Sequence, residues 1–324
     1  MECISSLKSL RKVALLIGTF DTQSKQYMSD PVHFADAINF FFFDGDQVVQ
    51  ASDLRELDPT EIALVYGNNA KVPIQKVRDV IKSWTAMYDG NAIYLVLGIE
   101  NQSKIHYAMV VKNMVYDSLH YAKQVMEATK SHKGEKLSGD EFLSGFTKED
   151  KLIPVITLVL YFGAEEWDGA TNLHKMFEIQ DERILKYVPD YKINLIQPAK
   201  ISKEEFQKFR TELGKVLEYI KLSKNKSVLH KQIQQEAEFW KLHKESFDLL
   251  NTATNSKLKL FLDEGGRADM CVAIDEMRQD MEIVGFIKGR RVDGISLEEA
   301  IKDAALMYGK TEEYVKEVYE EEVA

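Results

Sequence analysis

Apolar residues recur in two rhythms along the first 200 positions, and the switch between them predicts the elements. Asp30-Pro31 pairs an N-capping side chain with a proline at the first helical position, so a helix is expected to about Phe42, ending near Asp44-Gly45. Three short apolar stretches follow at 62–66, 77–85 and 92–99, with Gly67-Asn68-Asn69 and Asp89-Gly90-Asn91 between them; these read as strands joined by turns. Helical spacing returns over 105–130. A polar, glycine-containing loop covers 131–150, and 153–162 is a long apolar strand. The order is helix, three strands, helix, strand, which is an α/β unit.

Beyond it the pattern turns mainly helical. Residues 194–196 form one more candidate strand before Pro198, and 203–222 and 227–262 have the spacing of two long helices. Gly265-Gly266 is the clearest linker signal. A helix over 268–287, the capping-box spacing Ser296-Leu297-Glu298-Glu299 and a short helix from Thr311 complete the chain. The expected organisation is an N-terminal extension at 1–29, an α/β domain at 30–200, a helical region at 201–264 and an acidic helical tail at 265–324. No internal repeat or low-complexity tract is visible.

Composition adds looser bounds. With 324 residues, 45% hydrophobic and 29% charged, the chain can bury a sizeable core. Cys3 and Cys271 are too far apart in sequence to form a metal-ligand spacing or a disulfide framework, which fits a reducing compartment. The apolar run Val13-Ala14-Leu15-Leu16-Ile17 is too short to span a membrane and lacks a small-residue cleavage site, so a cytoplasmic protein is expected.

Charge is uneven. The net charge of -10 resides almost wholly after Phe261, where 8 basic residues face 17 acidic ones; the rest carries 34 and 35. Residues 192–231 hold 10 basic and 4 acidic side chains, a patch able to engage phosphates without sequence preference, although a solvated helix face fits the same pattern. The acidic tail leaves self-association through the C-terminal helices open.

The candidate chemistry lies where the third apolar strand ends. Glu100 and Gln102 follow the run from Ile93 to Ile99, and alternation along a strand puts both on one face. A carboxylate delivered there needs a counter-charge, because an unpaired buried carboxylate is too costly. Asp79, in the preceding strand-like stretch, comes alongside if the two strands pair. Two such oxygen ligands suit a hard cation such as magnesium. The competing reading is plain ion pairing, of Glu100 with Lys82 or Lys104 and of Asp79 with Arg78 or Lys82.

Asp79 followed by Glu100-x-Gln102-Ser103 at the end of an apolar strand resembles the PD-(D/E)xK nuclease superfamily, and within it the Rpn-type recombination-promoting nuclease/putative transposase family, whose members carry an E-x-Q-S motif. The likeness extends in the same order through Phe34-Ala35-Asp36-Ala37-Ile38-Asn39, Asp44-Gly45, Lys148-Glu149-Asp150-Lys151, the strand at 153–162 and Trp167-Asp168-Gly169. It covers the first half to two thirds of the chain.

The resemblance implies an αβββαβ restriction-endonuclease-like core followed by a mainly helical C-terminal region. It implies magnesium or another divalent ion held by Asp79 and Glu100, and hydrolysis of phosphodiester bonds in DNA in recombination or transposition. Gln102 stands where many superfamily members place lysine; an amide holds a water or phosphate oxygen but supplies no positive charge. Asp36 is a further candidate acid from the first helix, with Asn39 one turn on; Asp30 competes for that role, and His33 with Asp36 has the i, i+3 spacing of a metal pair. Phe40 to Phe43 read as core, Trp167 as a tryptophan packed in a turn, and Tyr116 and Tyr121 as helix residues facing the sheet or a DNA groove. The alternative of another class is a catalytically inactive DNA-binding or assembly protein on the same fold. A general metabolic enzyme fits poorly, since neither a glycine-rich phosphate loop nor a nucleophile-base motif is present.

Overall fold

A computed structural model of the chain describes residues 18–58, 60–64, 73–77, 79–88 and 91–323. The run 13–17, Cys3, Arg78, and the turns expected at Gly67-Asn68-Asn69 and at Asp89-Gly90 lie outside these residues. The chain divides into two units, one of residues 1–224 and 248–254, the other of 225–247 and 255–324.

In the first unit residues 18–29 form helix α1, which buries Phe20, Tyr27 and Met28, with Phe20 edge-on to Phe162 at 5.4 Å. This stretch is therefore core, where an N-terminal extension was expected. Helix α2 (Pro31–Phe42) starts as the sequence predicts: the Asp30 carboxylate accepts the Val32 N–H at 2.7 Å, and Pro31 occupies the first turn. It buries Phe34, Ala35, Ala37 and Ile38. The chain leaves it through Asp44 (φ 53°) and Gly45 (φ 90°); a Cβ on Gly45 would lie 2.7 Å from the Lys208 Cβ, so both conformation and space require glycine. Of the four phenylalanines at 40–43 none is fully buried; Phe40 stacks on Phe209 at 4.0 Å and Phe43 meets Trp84 edge-on.

Seven strands follow: β1 (Leu54–Glu56), β2 (Thr60–Leu64), β3 (Pro73–Val77), β4 (Val80–Tyr88), β5 (Asn91–Gln102), β6 (Val155–Tyr161) and β7 (Asn194–Ile196). Five of them make one mixed sheet in the order β1-β4-β5-β6-β7, while β2 and β3 pair separately. β4 runs antiparallel to β1 and β5, whereas β5, β6 and β7 are parallel. The crossover from β5 to β6 is helix α3 (Met109–Ser131), as a parallel pair requires. Val96 and Leu97 point to opposite faces of β5, yet both are buried, so both faces are covered; that explains an unbroken apolar run in place of alternation.

The sheet departs from expectation in its first strands. Of the stretch 62–66, residues 62–64 belong to β2, which pairs apart from the main sheet, and 77–85 is divided between β3 and β4 with a bend at Asp79. The edge strand beside β4 is β1, with only three residues. Along the main sheet the order is still helix α2, antiparallel β1, β4 and β5, helix α3, parallel β6, with a hairpin inserted and β7 added.

A short helix, α4 (Gly139–Ser144), precedes β6; after β6 come the short helix α5 (Glu182–Leu185), then α6 (Lys203–Phe206) and α7 (Leu213–Leu222). The single helix expected at 203–222 is interrupted because the Asp36 carboxylate captures the intervening loop, accepting from the backbone N–H of Arg210 and Thr211, each at 2.9 Å, and from the Thr211 hydroxyl at 2.6 Å. Asp36 is 3% exposed, and such charge-assisted bonds outweigh one more helical turn.

The second unit contains α8 (Lys226–Gln235); helix α9 (Lys244–Thr254) begins in it and ends in the first. The long helix expected at 227–262 is broken by the two-residue strand β8 (Lys241–Leu242), which pairs with β9 (Ala268–Asp269), and by left-handed backbone at Asn255 and Lys257. Gly265-Gly266 is no linker. Asp263 Oδ1 accepts from the N–H of Gly265 and Arg267, each at 2.9 Å, closing a tight turn with Gly266 at φ 75°. Helices α10 (Met270–Val292), α11 (Leu297–Tyr308) and α12 (Glu312–Val323) share a core of Ile283, Ile287, Ala300, Ala304 and Val315, and the Ser296 hydroxyl caps α11 through the Glu299 N–H. Among the described residues no helix is long and apolar enough to cross a membrane.

Candidate active site

The β4–β5 register brings Asp79 and Glu100 together. Val80 pairs with Ile99, and one position further out Asp79, in a bend just before β4, neighbours the Glu100–Asn101 segment of β5. Glu100 is 1% exposed, and its Oε2 lies 2.8 Å from the Nζ of Lys112, in the first turns of α3. Asp79 Oδ2 accepts the Asn101 N–H at 2.8 Å. A crossover helix begins at the carboxyl end of the strand it leaves, so Lys112 arrives where α/β sheets commonly bind ligands.

A cavity of about 310 Å³ opens at this point. Asp79, Gln102 and Lys112 stand in its wall, Asp21 of α1 reaches it from another side, and Ser103, Lys104 and His106 of the β5–α3 loop form its rim. The Gln102 Nε2 donates to the Asn101 carbonyl at 2.8 Å, which holds the amide along the strand.

Electrostatics couples these groups. Burial raises the Asp79 carboxyl above the usual carboxylate range; the Asn101 N–H and the Lys112 ammonium pull it down, and Asp21 pushes it up again. Burial would lower the Lys112 ammonium, but the ion pair and hydrogen bond with Glu100 more than offset this, aided by Asp79, and leave it raised. The counter-charge of Glu100 is thus Lys112, where ion pairing predicted Lys82 or Lys104. Lys82 is 2% exposed and donates to the Ser29 carbonyl at 2.9 Å and to Glu56 Oε1 at 3.2 Å.

The other predicted residues are not brought here. Asp36 spends both oxygens on residues 210–211, so a catalytic role for it is corrected to a structural one. Asn39 brackets Val49 with two hydrogen bonds, His33 stacks on Tyr27 at 3.9 Å, and Asp30 caps α2. Within the basic stretch, Lys208 pairs with Asp44, Lys224 with Glu165 at 2.6 Å, and Lys221 donates to the Ile201 carbonyl at 2.5 Å. These three cations already serve the fold. Sequence reasoning missed Lys112, which is twelve residues beyond Glu100 and meets it only through the crossover, and Asp21, which precedes the expected domain.

Asp79 keeps only part of its capacity for a ligand, and among the described residues no three or more His, Cys, Asp or Glu side chains are placed to hold a metal ion by themselves. Of the two carboxylates, Asp79 stands in the cavity wall, whereas Glu100 is buried and engaged by Lys112.

No curated protein and no solved structure matches the chain. The sequence profile of the family described as "Putative transposase, YhgA-like" matches residues 25–259, a span that holds Asp79, Glu100, Gln102 and Lys112, and the chain belongs to that family.

Proposed function

We propose that the chain is a divalent-metal-dependent DNA endonuclease of the PD-(D/E)xK kind, acting in recombination or transposition. The observation that carries this reading is that Asp79, just before β4, and Lys112, at the start of α3, stand in the wall of one cavity, with Glu100 of β5 buried behind it and ion-paired to Lys112. The succession α2, β1, β4, β5, α3, β6 supports a restriction-endonuclease-like core, and the family description supports DNA as the partner.

Asp79 and Glu100 would hold magnesium, which supplies a bound water of lowered pKa and polarises a phosphate oxygen. Lys112 supplies the positive charge that Gln102 cannot. Its ammonium is held by Glu100 in the absence of substrate and is 27% exposed, so it can turn to a non-bridging phosphate oxygen and stabilise charge there. The Gln102 amide orients a water or phosphate oxygen. Asp21 adds negative charge at the rim, which favours a cation in the cavity.

The ion pair between Glu100 and Lys112 also supports a second reading, a DNA-binding or assembly protein without catalysis, because the buried carboxylate is neutralised by the protein itself. Cleavage of linear and supercoiled DNA with magnesium decides between them. Activity lost in Glu100→Ala supports the nuclease; no cleavage by wild type with any divalent ion leaves the binding protein.

A further inference from the structure

A second recess borders Lys112, beside the cavity at Asp79. Helix α3 aligns Ala108, Val111, Lys112, Val115 and Tyr116 along one side, at the 3.6-residue period, and with His106 they line this recess of about 380 Å³. The two recesses share His106 and Lys112. Their chemistry differs sharply. The first presents carboxylates and an amide; the second presents the methyl groups of an alanine and two valines beside a tyrosine ring, with its charged group on the shared wall.

Val111 is 37% exposed although it sits beside the sheet-facing side of α3, so this apolar strip is left open. The Lys112 Nζ lies 5.6 Å from the centre of the Tyr116 ring, and exposed Lys104 and His106 add cationic groups around the junction. An occupant must therefore join an anionic group, placed at the junction, to a flat apolar-faced ring one short linker away. A nucleotide has that form: the phosphate at the carboxylate cavity, the base among the valines.

We propose that this second recess receives the base of an unpaired nucleotide whose phosphate lies in the cavity at Asp79 and Lys112, so that the preferred substrate is single-stranded DNA or an unpaired end. The inference rests on the nuclease reading above. A base inside a duplex has both faces stacked and its edge paired, and must be extruded before it can enter; an unpaired base enters without that cost. Apolar and aromatic walls hold a base by its faces, which tolerates any of the four bases. Cleavage would accordingly depend on strand structure more than on sequence.

The test separates base from phosphate. Binding of the full chain, in EDTA, is measured for a fluorescent thymidine oligomer of about a dozen nucleotides and for an abasic oligomer with the same number of phosphates. Wild type should bind the thymidine oligomer about tenfold more tightly. Val111→Asn and Val115→Asn, which make the wall of the recess polar without adding a stacking ring, should bring that ratio toward one while leaving abasic binding unchanged. A wild-type ratio of one, which needs no variant to measure, or an unchanged ratio in both variants, overturns the proposal. Magnesium-dependent cleavage of single strand and duplex, with Glu100→Ala as control, reads the nuclease separately. Base-dependent binding without any cleavage sinks the nuclease and keeps the recess. Equal cleavage of both substrates, with base-independent binding, sinks the recess and keeps the nuclease.

Discussion

Helix α3 lies beside two buried carboxylates that are treated in opposite ways. Glu100, at the end of β5 and beside the first turn of the helix, is ion-paired with the Lys112 ammonium, which stands in the wall of a cavity. Asp117, further along, is balanced by hydroxyls: its Oδ1 accepts from Thr157 at 2.7 Å and its Oδ2 from Tyr191 at 2.5 Å, while the Thr157 carbonyl accepts from Asn194 at 2.9 Å. Both arrangements meet the cost of burying a charge. Only the first is exchangeable, because an ammonium at a cavity wall can yield to another cation or turn to a phosphate. Hydroxyls locked between α3, β6 and the loop before β7 have nowhere to go. The comparison teaches that burial of an acid marks chemistry only where its partner borders open space.

The largest effect expected from this contrast is on cleavage. Asp79→Ala and Glu100→Ala should each reduce magnesium-dependent DNA cleavage by roughly a thousandfold or more, with the far-ultraviolet circular dichroism spectrum retained. Asp117→Ala should do the reverse. Losing its bonds to Thr157 and Tyr191 should cost about 2–4 kcal/mol in denaturant unfolding, and cleavage per folded molecule should persist. A folded Asp117→Ala protein without activity would break the comparison.

A smaller effect concerns the sign of the Asp79 contribution. Its folded carboxyl is raised above the ordinary value of 3.8, so the folded state binds a proton more readily than the unfolded chain. Stability from this group is present at low pH and is lost as pH rises from 3.8 through the raised value. Asp79→Asn, which keeps an acceptor for the Asn101 N–H, should therefore raise the thermal midpoint at neutral pH while abolishing cleavage, and the gain should vanish at about pH 3. A lower midpoint at neutral pH would show that Asp79 serves the fold more than the site.

The smallest effect lies at the other end of α3. His132 donates from Nδ1 to Glu135 at 2.8 Å and from Nε2 to Asp150 at 3.0 Å, and the hydrogen bond to Asp150, followed by that to Glu135, raises its pKa above 6.5. A raised histidine contributes stability that is complete below 6.5 and fades as pH climbs through its folded value. Hydrogen exchange across 132–150 should quicken as pH rises above 6.5 beyond the intrinsic base-catalysed increase. His132→Gln should remove that excess.

Elements whose signals are local could be read from the sequence. Asp30-Pro31 marked the start of α2, and the uninterrupted apolar runs marked β5 and β6. β1 was invisible because three residues carry no period, and β2 was mistaken for a sheet strand because its partner could not be known. The break between α6 and α7 is imposed by Asp36 from far up the chain, so helical spacing continued across it. The same limit governs the site. Asp79 and Glu100 were within reach of a pairing argument, whereas Lys112 and Asp21 are neighbours only after α3 and α1 have packed.

The capture of residues 210–211 by Asp36 also sets a timetable. The two ends of that bond are separated by 174 residues, and at about 5–20 residues per second a ribosome needs roughly 10–35 s to produce the second after the first. Throughout that interval α2 carries an acid meant for the interior with no partner yet made. The nascent first unit is therefore expected to remain open to chaperones and proteases until residue 211 has emerged, and to close late and all at once rather than strand by strand.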